Sequence, residues 1–386
     1  MISMITSAHF RSADKYKGFG LVELMIALAL GTVIILGVTT LFSDSSRALN
    51  DISRAGRQIE NSLYAMDLIA KEISLVDYWG EANAPVDAEE NTYGPLRPPE
   101  LGGLETDGYP AEPPLCAGTG ATGFDPRVEL GFAMEYPLLA GLGSEVNAAV
   151  AGDQCKAGGS TASATRAYFA VRRASTCATG MGGIAEDNGC RAVDDFFYLQ
   201  TNGCYDPNTG LSGGEVKMYR LDAASLGSTL DYDGFCVPGE AAAEKAPVYR
   251  FVSRIYYVNQ QDQLVRLSFD NPASGGLGYY QEIMVEGVED LQFEWFIDES
   301  GDGVYDSIRS SRRPADMLDF YQVAGNVVGA RVWLAVRSTR ENPGFEDTRT
   351  YTMAGDPWAI PDGMAAYPRT IQSRMVELPN RVGRRR

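Results

Sequence analysis

The chain reads as an α+β protein: one long amino-terminal helix packed on an antiparallel β-sheet that carries large, disulfide-tied loops. Three observations predict this. From Phe19 to Phe42 nearly every residue is apolar or small, and Glu23 is the only formal charge. The apolar pattern then continues at helical spacing as far as Val76, with no proline between Phe19 and Tyr78. Late in the chain, alternating apolar and polar runs follow one another between turn residues, as strands do.

Residues 1–18 are polar and net positive, with Arg11, Lys15 and Lys17 against Asp14. Positive charge ahead of an apolar span keeps that end in the cytoplasm. The segment reads as a leader that is cleaved and takes no part in the fold. Residues 19–42 form the span, since a helix needs about 20 apolar residues to cross a bilayer core. A lone carboxylate inside it costs about 2.5–3.5 kcal/mol on insertion scales, so Glu23 calls for a function and a partner. An ordinary signal anchor that tolerates one acid supplies neither. A cut between Gly18 and Phe19 supplies both, because the new positive amino group of Phe19 can pair with Glu23 on the same or a neighbouring subunit.

The run Gly18-Phe19 followed by Leu21-Val22-Glu23-Leu24-Met25-Ile26-Ala27 resembles the prepilin signature of type IV pilins and of the pseudopilins of type II secretion. By that resemblance Gly18 is the last leader residue and Phe19 the N-methylated first residue of the mature chain. Glu23 is then the acid that registers a subunit in a filament, and the fold is pilin-like.

Residues 43–80 continue the helix as its amphipathic distal half. Leu49, Ile52, Ile59, Leu63, Met66, Ile69, Ile73 and Val76 recur at steps of three, four and one seven. A continuous helix from Phe19 to Tyr78 would be about 87 Å long at 1.5 Å per residue. Asp77-Tyr78-Trp79-Gly80 places a glycine where a helix C-terminus favours one.

Residues 81–245 read as a loop-rich insertion with short strands. Pro95, Pro98, Pro99, Pro110, Pro113 and Pro114 fall in its first part, and Gly, Ala, Ser and Thr dominate from Gly118 to Gly183. Arg166–Arg172, Phe196–Leu199 and Val216–Leu221 are its candidate strands. All six cysteines lie here: Cys116, Cys155, Cys177, Cys190, Cys204 and Cys236. An even number in an exported domain reads as disulfides, and six cysteines allow about 15 pairings. Local pairing would join Cys177 to Cys190, Cys204 to Cys236 and Cys116 to Cys155.

Residues 246–386 read as the antiparallel sheet region. Val248–Val258 and Gln263–Phe269 form a hairpin across Asn-Gln-Gln-Asp, followed by runs at Gln281–Ile297, Asn326–Thr339 and Arg369–Leu378. Four blocks are similar to PilW-type minor pilins. They are Ile69 through Gly80, Val285-Glu-Gly-Val-Glu-Asp-Leu-Gln-Phe-Glu-Trp295 with the Asp/Gly-rich loop after it, Gly329-Ala-Arg-Val-Trp-Leu-Ala-Val-Arg337, and the Arg369–Leu378 strand.

The resemblance implies a structural, non-enzymatic minor pilin that primes a type IV pilus and sits at its tip, where no neighbour above limits the size of its head. Its partners would be the prepilin peptidase, other minor pilins, the major pilin and a large tip adhesin. It would span the inner membrane once, amino terminus cytoplasmic and head periplasmic, before reaching the cell surface in the pilus. A J-type pseudopilin of type II secretion and a membrane-anchored adhesin or binding protein are the alternatives.

Composition narrows the chemistry further. A formal net charge of −18 argues against nucleic-acid binding by the head. The single histidine, His9, lies before the cut, which removes Ser-His-Asp and Cys-His catalysis and histidine zinc sites from the mature chain. No cofactor is required, but one loop is a candidate calcium site. Asp298, Ser300, Asp302 and Asp306 stand at loop positions 1, 3, 5 and 9, with Gly303 at 6 and the Val304 carbonyl at 7. Position 12 is Arg309 rather than a bidentate Glu, and Asp and Gly favour hydrophilic turns on their own.

Overall fold

A computed structural model describes residues 20–80, 114–116, 136–151, 155, 160–179, 196–201, 216–221, 248–270, 276 and 278–382, with two-residue ladders at 204–205, 212–213, 231–232 and 244–245. It divides into two compact units, Met1–Ala55 and Gly56–Arg386.

Helix α1 spans Leu21–Ser74. Its run has no proline, and its threonines do not compete with the helix. Thr32, Thr39 and Thr40 donate back to the carbonyls of Ala29, Leu36 and Gly37 at 2.8, 3.1 and 2.9 Å. The helix ends where Asp77 takes a left-handed φ of 62° and its carboxylate accepts Trp79 Nε1–H at 2.6 Å. Gly80 follows at φ 70°, and a Cβ there would stand 2.6 Å from the Tyr249 ring. Glycine is required at that position by both conformation and space.

Among the described residues, the second unit is dominated by a seven-stranded and a four-stranded antiparallel sheet. The strands of the first are β1 (Leu138–Leu142), β2 (Ala167–Thr179), β3 (Phe196–Thr201), β4 (Val216–Leu221), β5 (Val248–Val258), β6 (Gln263–Asp270) and β7 (Gly278–Glu286), and helix α2 (Gly143–Ala151) follows β1. The spatial order is β1-β2-β5-β6-β7. β6 pairs with Arg254–Val258, whereas β3 takes Val248–Arg250 and carries β4 on its other edge.

The second sheet has the order β9-β8-β10-β13, from β8 (Val288–Ile297), β9 (Ser307–Ser310), β10 (Val327–Arg337) and β13 (Arg369–Glu377). Short helices α3 (Pro314–Met317) and α4 (Phe320–Val323) lie between β9 and β10, and a hairpin of β11 (Tyr351–Met353) and β12 (Asp356–Trp358) between β10 and β13. Gly287 alone carries the chain from one sheet to the other. Its carbonyl accepts Arg337 N–H at 2.8 Å, and its φ is 82°.

The first sheet buries apolar clusters on both faces. One face joins Trp79, Phe196, Phe197, Phe251, Phe269 and Tyr279 in a buried cluster. The other shares a core with α1 and the second sheet, where Ala65, Met66, Ile69 and Ile73 meet Phe169, Tyr256, Phe293 and Trp295. Phe169 stacks on Tyr256 at 5.0 Å and meets Phe293 edge-on at 5.3 Å. The distal half of α1 is therefore held by burial, at about 25 cal/mol per Å² of apolar surface.

Two expectations are corrected. Residue 245 is no fold boundary, because β1 to β4 belong to the same sheet as β5 to β7. The run Gln281–Ile297 is two strands in different sheets, since Gly287 turns the chain inside it. Cys116 and Cys155 form a disulfide, with Cα atoms 5.1 Å apart. Cys177 is also disulfide-bonded. Cys190 and Cys236 lie outside the described residues, and Cys204 is described only as part of a two-residue ladder.

Candidate functional site

At the start of α1, Gly20 N–H donates to Glu23 Oε2 at 3.1 Å and the Gly20 carbonyl accepts Leu24 N–H at 3.1 Å. Glu23 thus accepts the Gly20 amide at the helix N-terminus, where the helix dipole also favours a negative charge. Gly18 and Phe19 lie outside the described residues. From Leu21, 75 % exposed, to Phe42, 73 % exposed, the large apolar side chains of α1 project outward. The helix is long and apolar enough to cross a membrane. This arrangement presents a continuous apolar surface with one carboxylate at its leading end.

Within the second unit, charged clamps fix the distal part of α1 and the two sheets. Glu72, 4 % exposed, accepts from Arg254 of β5 and from Arg173 of β2 at 3.5 Å. Burial, reinforced by Glu72, pushes the neighbouring Tyr256 phenol up to about 12, so it stays protonated. Asp262, at φ 56° in the β5–β6 turn, takes Arg166 at 2.7 Å and Arg337 at 2.9 Å, and so ties the first sheet to the second. Arg369 bridges Glu289 and Asp347, both at 2.9 Å.

Asp347 is held well below the usual carboxylate range, first by hydrogen bonds from Arg349, against opposing burial and with help from Tyr351. Its folded-state value lies below its unfolded value of about 3.9. The stability it contributes is therefore complete above about pH 4 and is lost as the pH falls below that. Urea midpoints measured across the acid range should fall less steeply in Asp347→Asn than in the parent. Asp290 runs the other way, because burial raises its carboxyl despite hydrogen bonds from Gln292 and Trp358.

The Asp298–Asp306 loop closes β8 onto β9. Asp298 is 1 % exposed and accepts Gly301 N–H at 2.6 Å, Gly303 N–H at 2.9 Å and Ser300 Oγ–H at 3.3 Å. Asp306 accepts the amides of Glu299 and Ser300, each at 2.8 Å, and Asp302 accepts that of Val304 at 2.8 Å. The carboxylates thus serve the loop's own amides. Arg309 pairs across β8 with Trp295, and no carboxylate stands at loop position 12. Among the described residues, no three His, Cys, Asp or Glu side chains are grouped to hold a metal. The donor set does not complete an EF-hand-type loop.

The model of the prokaryotic N-terminal methylation motif matches residues 14–39. The model of the type IV pilus-assembly protein W, or PilW, matches residues 255–380. Residues 255–380 are thus similar to PilW, and residues 14–39 carry a prepilin-type methylation motif. The methylation motif holds Gly18, Phe19 and Glu23, and the PilW range runs from β5 to β13 and includes both Asp262 and Arg369. No curated protein matches the chain. A type IV-like pilin from Thermus thermophilus is similar at 12 % identity, over 50 % of this chain and 86 % of its own, with a TM-score of 0.20. The PilW-like range contains most of the buried charged clamp, which sequence reading passed over. Its members lie far apart in the chain, as Arg369 and Glu289 do, and each alone reads as a solvated charge.

Proposed function

We propose that this PilW-like pilin primes assembly of a type IV pilus and stands at its tip. The observation that carries this reading is the prepilin motif on the exposed apolar half of α1, joined to a PilW-like head. After cleavage at Gly18 the Phe19 amine would meet Glu23 of a neighbouring subunit in a low-dielectric filament core, where an unpaired acid is costly. Glu23→Ala is expected to lower incorporation into sheared pili by about tenfold or more, the cost of leaving one buried charged partner unsatisfied. Undiminished incorporation would remove that role.

The deciding experiment is capture of the processed protein from crosslinked cell envelopes, read by mass spectrometry. Recovery with other minor pilins, a major pilin and a large secreted adhesin is the expected result. Recovery with secretion pseudopilins would overturn the pilus role and leave the fold unchanged.

In this reading assembly calls on no cofactor, and the Asp298–Asp306 loop, whose carboxylates accept its own amides, is the candidate calcium loop to test. Calcium at millimolar concentration is expected to leave the thermal midpoint unchanged. A rise that Asp302→Ala abolishes would assign the loop to calcium.

A further inference from the structure

Strands β5, β6 and β7 line an open cavity of about 350 Å³ on the first sheet. Arg250 and Arg254 of β5, Arg266 and Ser268 of β6 and Tyr280 of β7 lie at alternate positions, which places them on one face. The register brings Ser268 opposite both Arg254 and Tyr280, and Arg266 opposite Glu282.

Each guanidinium is held by a carboxylate. Arg250 meets Asp270 at 2.5 Å, Arg266 meets Glu282 at 2.5 Å, and Arg254 meets Glu72. Each of these bonds uses one terminal nitrogen, whereas a guanidinium carries five N–H donors. Arg250 is also fixed over the Phe196 ring, 4.2 Å from its centroid. Ser268 Oγ is buried and makes no hydrogen bond among the described residues. The cavity is thus rich in donors, and its carboxylates are already engaged.

Charge points the same way. Among the described residues that line the cavity, Arg250, Arg254 and Arg266 stand against Asp270 and Glu282, one cation in excess. The chain as a whole carries −18, but charges beyond a Debye length of about 8 Å at physiological salt are screened. The local excess therefore governs a small ligand.

We propose that this cavity binds an oxyanion, a carboxylate or phosphate group, through Arg250, Arg254 and Arg266, with the Ser268 hydroxyl as a further donor. A neutral polyol fits less well, because its hydroxyls also need acceptors. The group could come from a free anion or from an acidic segment of a partner protein, and the test separates these sources.

The test is calorimetric titration of the processed full-length chain in detergent with inorganic phosphate, citrate or a tetraglutamate peptide, at constant ionic strength set with chloride. Saturable binding is expected, weakened by about tenfold or more in Arg250→Gln, since charge-assisted bonds are the strong ones. The Arg250–Asp270 pair is partly exposed, so the fold should tolerate that change. Ser268→Ala, with no charge altered, should weaken binding severalfold and guards against a misfolded arginine variant. Tetraglutamate that competes with phosphate supports an acidic protein segment, and phosphate binding without it supports a free anion. No saturable binding up to about 10 mM, a concentration at the weak end of measurable affinity, would overturn the proposal. So would binding that both substitutions leave unchanged.

Discussion

Arg369→Leu is expected to destabilise the second unit by about 3–5 kcal/mol, the cost of breaking a buried ion pair from one side. Arg369 and Glu289 side chains are both fully buried. The guanidinium donates to Glu289 through Nε at 2.9 Å and Nη2 at 3.2 Å, to Asp347 through Nη1 at 2.9 Å and to the Met364 carbonyl at 2.6 Å. Leucine would fill part of the space and leave Glu289 with Arg337 at 3.6 Å as its remaining ion pair. Asp347 would keep Arg349 and Tyr351, so most of the loss falls on Glu289. The check is chemical unfolding of the processed chain in detergent. Arg369→Leu combined with Glu289→Leu should cost less than Arg369→Leu alone, because it removes the stranded charge. A double substitution as costly as the two single effects added would refute the coupling.

Gly287→Ala should cost about 2–4 kcal/mol, the range of a backbone clash added to a left-handed conformation. A Cβ at Gly287 would lie 2.6 Å from the Arg337 carbonyl oxygen, a backbone atom within β10 that cannot swing aside. The residue's φ of 82° adds strain for any L side chain. Relief would require the two sheets to part where Arg337 N–H bonds to Gly287 and Val288 N–H to Asp262, each at 2.8 Å. The loss should appear as a lower thermal midpoint. Ala at Gly276, whose φ is also positive at 72° but which has open space around it, should cost less. Equal losses at the two positions would show that conformation alone, without the clash, sets the cost.

Much of the architecture was legible from local pattern. The helix needed only the apolar span, the helical spacing as far as Val76 and the absence of proline. The hairpin at 259–262 and the strands Val248–Val258 and Val216–Leu221 followed from alternation between turn residues. Leu138–Leu142 escaped because a strand covered on both faces does not alternate. The β11–β12 hairpin escaped because its three-residue strands, Tyr351–Met353 and Asp356–Trp358, are too short to show a period.

The N-terminal segment is legible from sequence alone. Its methylation motif and apolar span are contiguous, and neither depends on the fold of the rest of the chain. The fold class and the prepilin character were therefore set by residues 18–76 and by strand periodicity. Only the tertiary structure decided that Gly287 divides one apolar run between two sheets. It also decided that Glu72, Asp262 and Arg369 are buried clamps, and that Arg250, Arg254 and Arg266 share a cavity. The physical reason is that burial and pairing depend on neighbours dozens to hundreds of positions away, and local spacing carries no information about them.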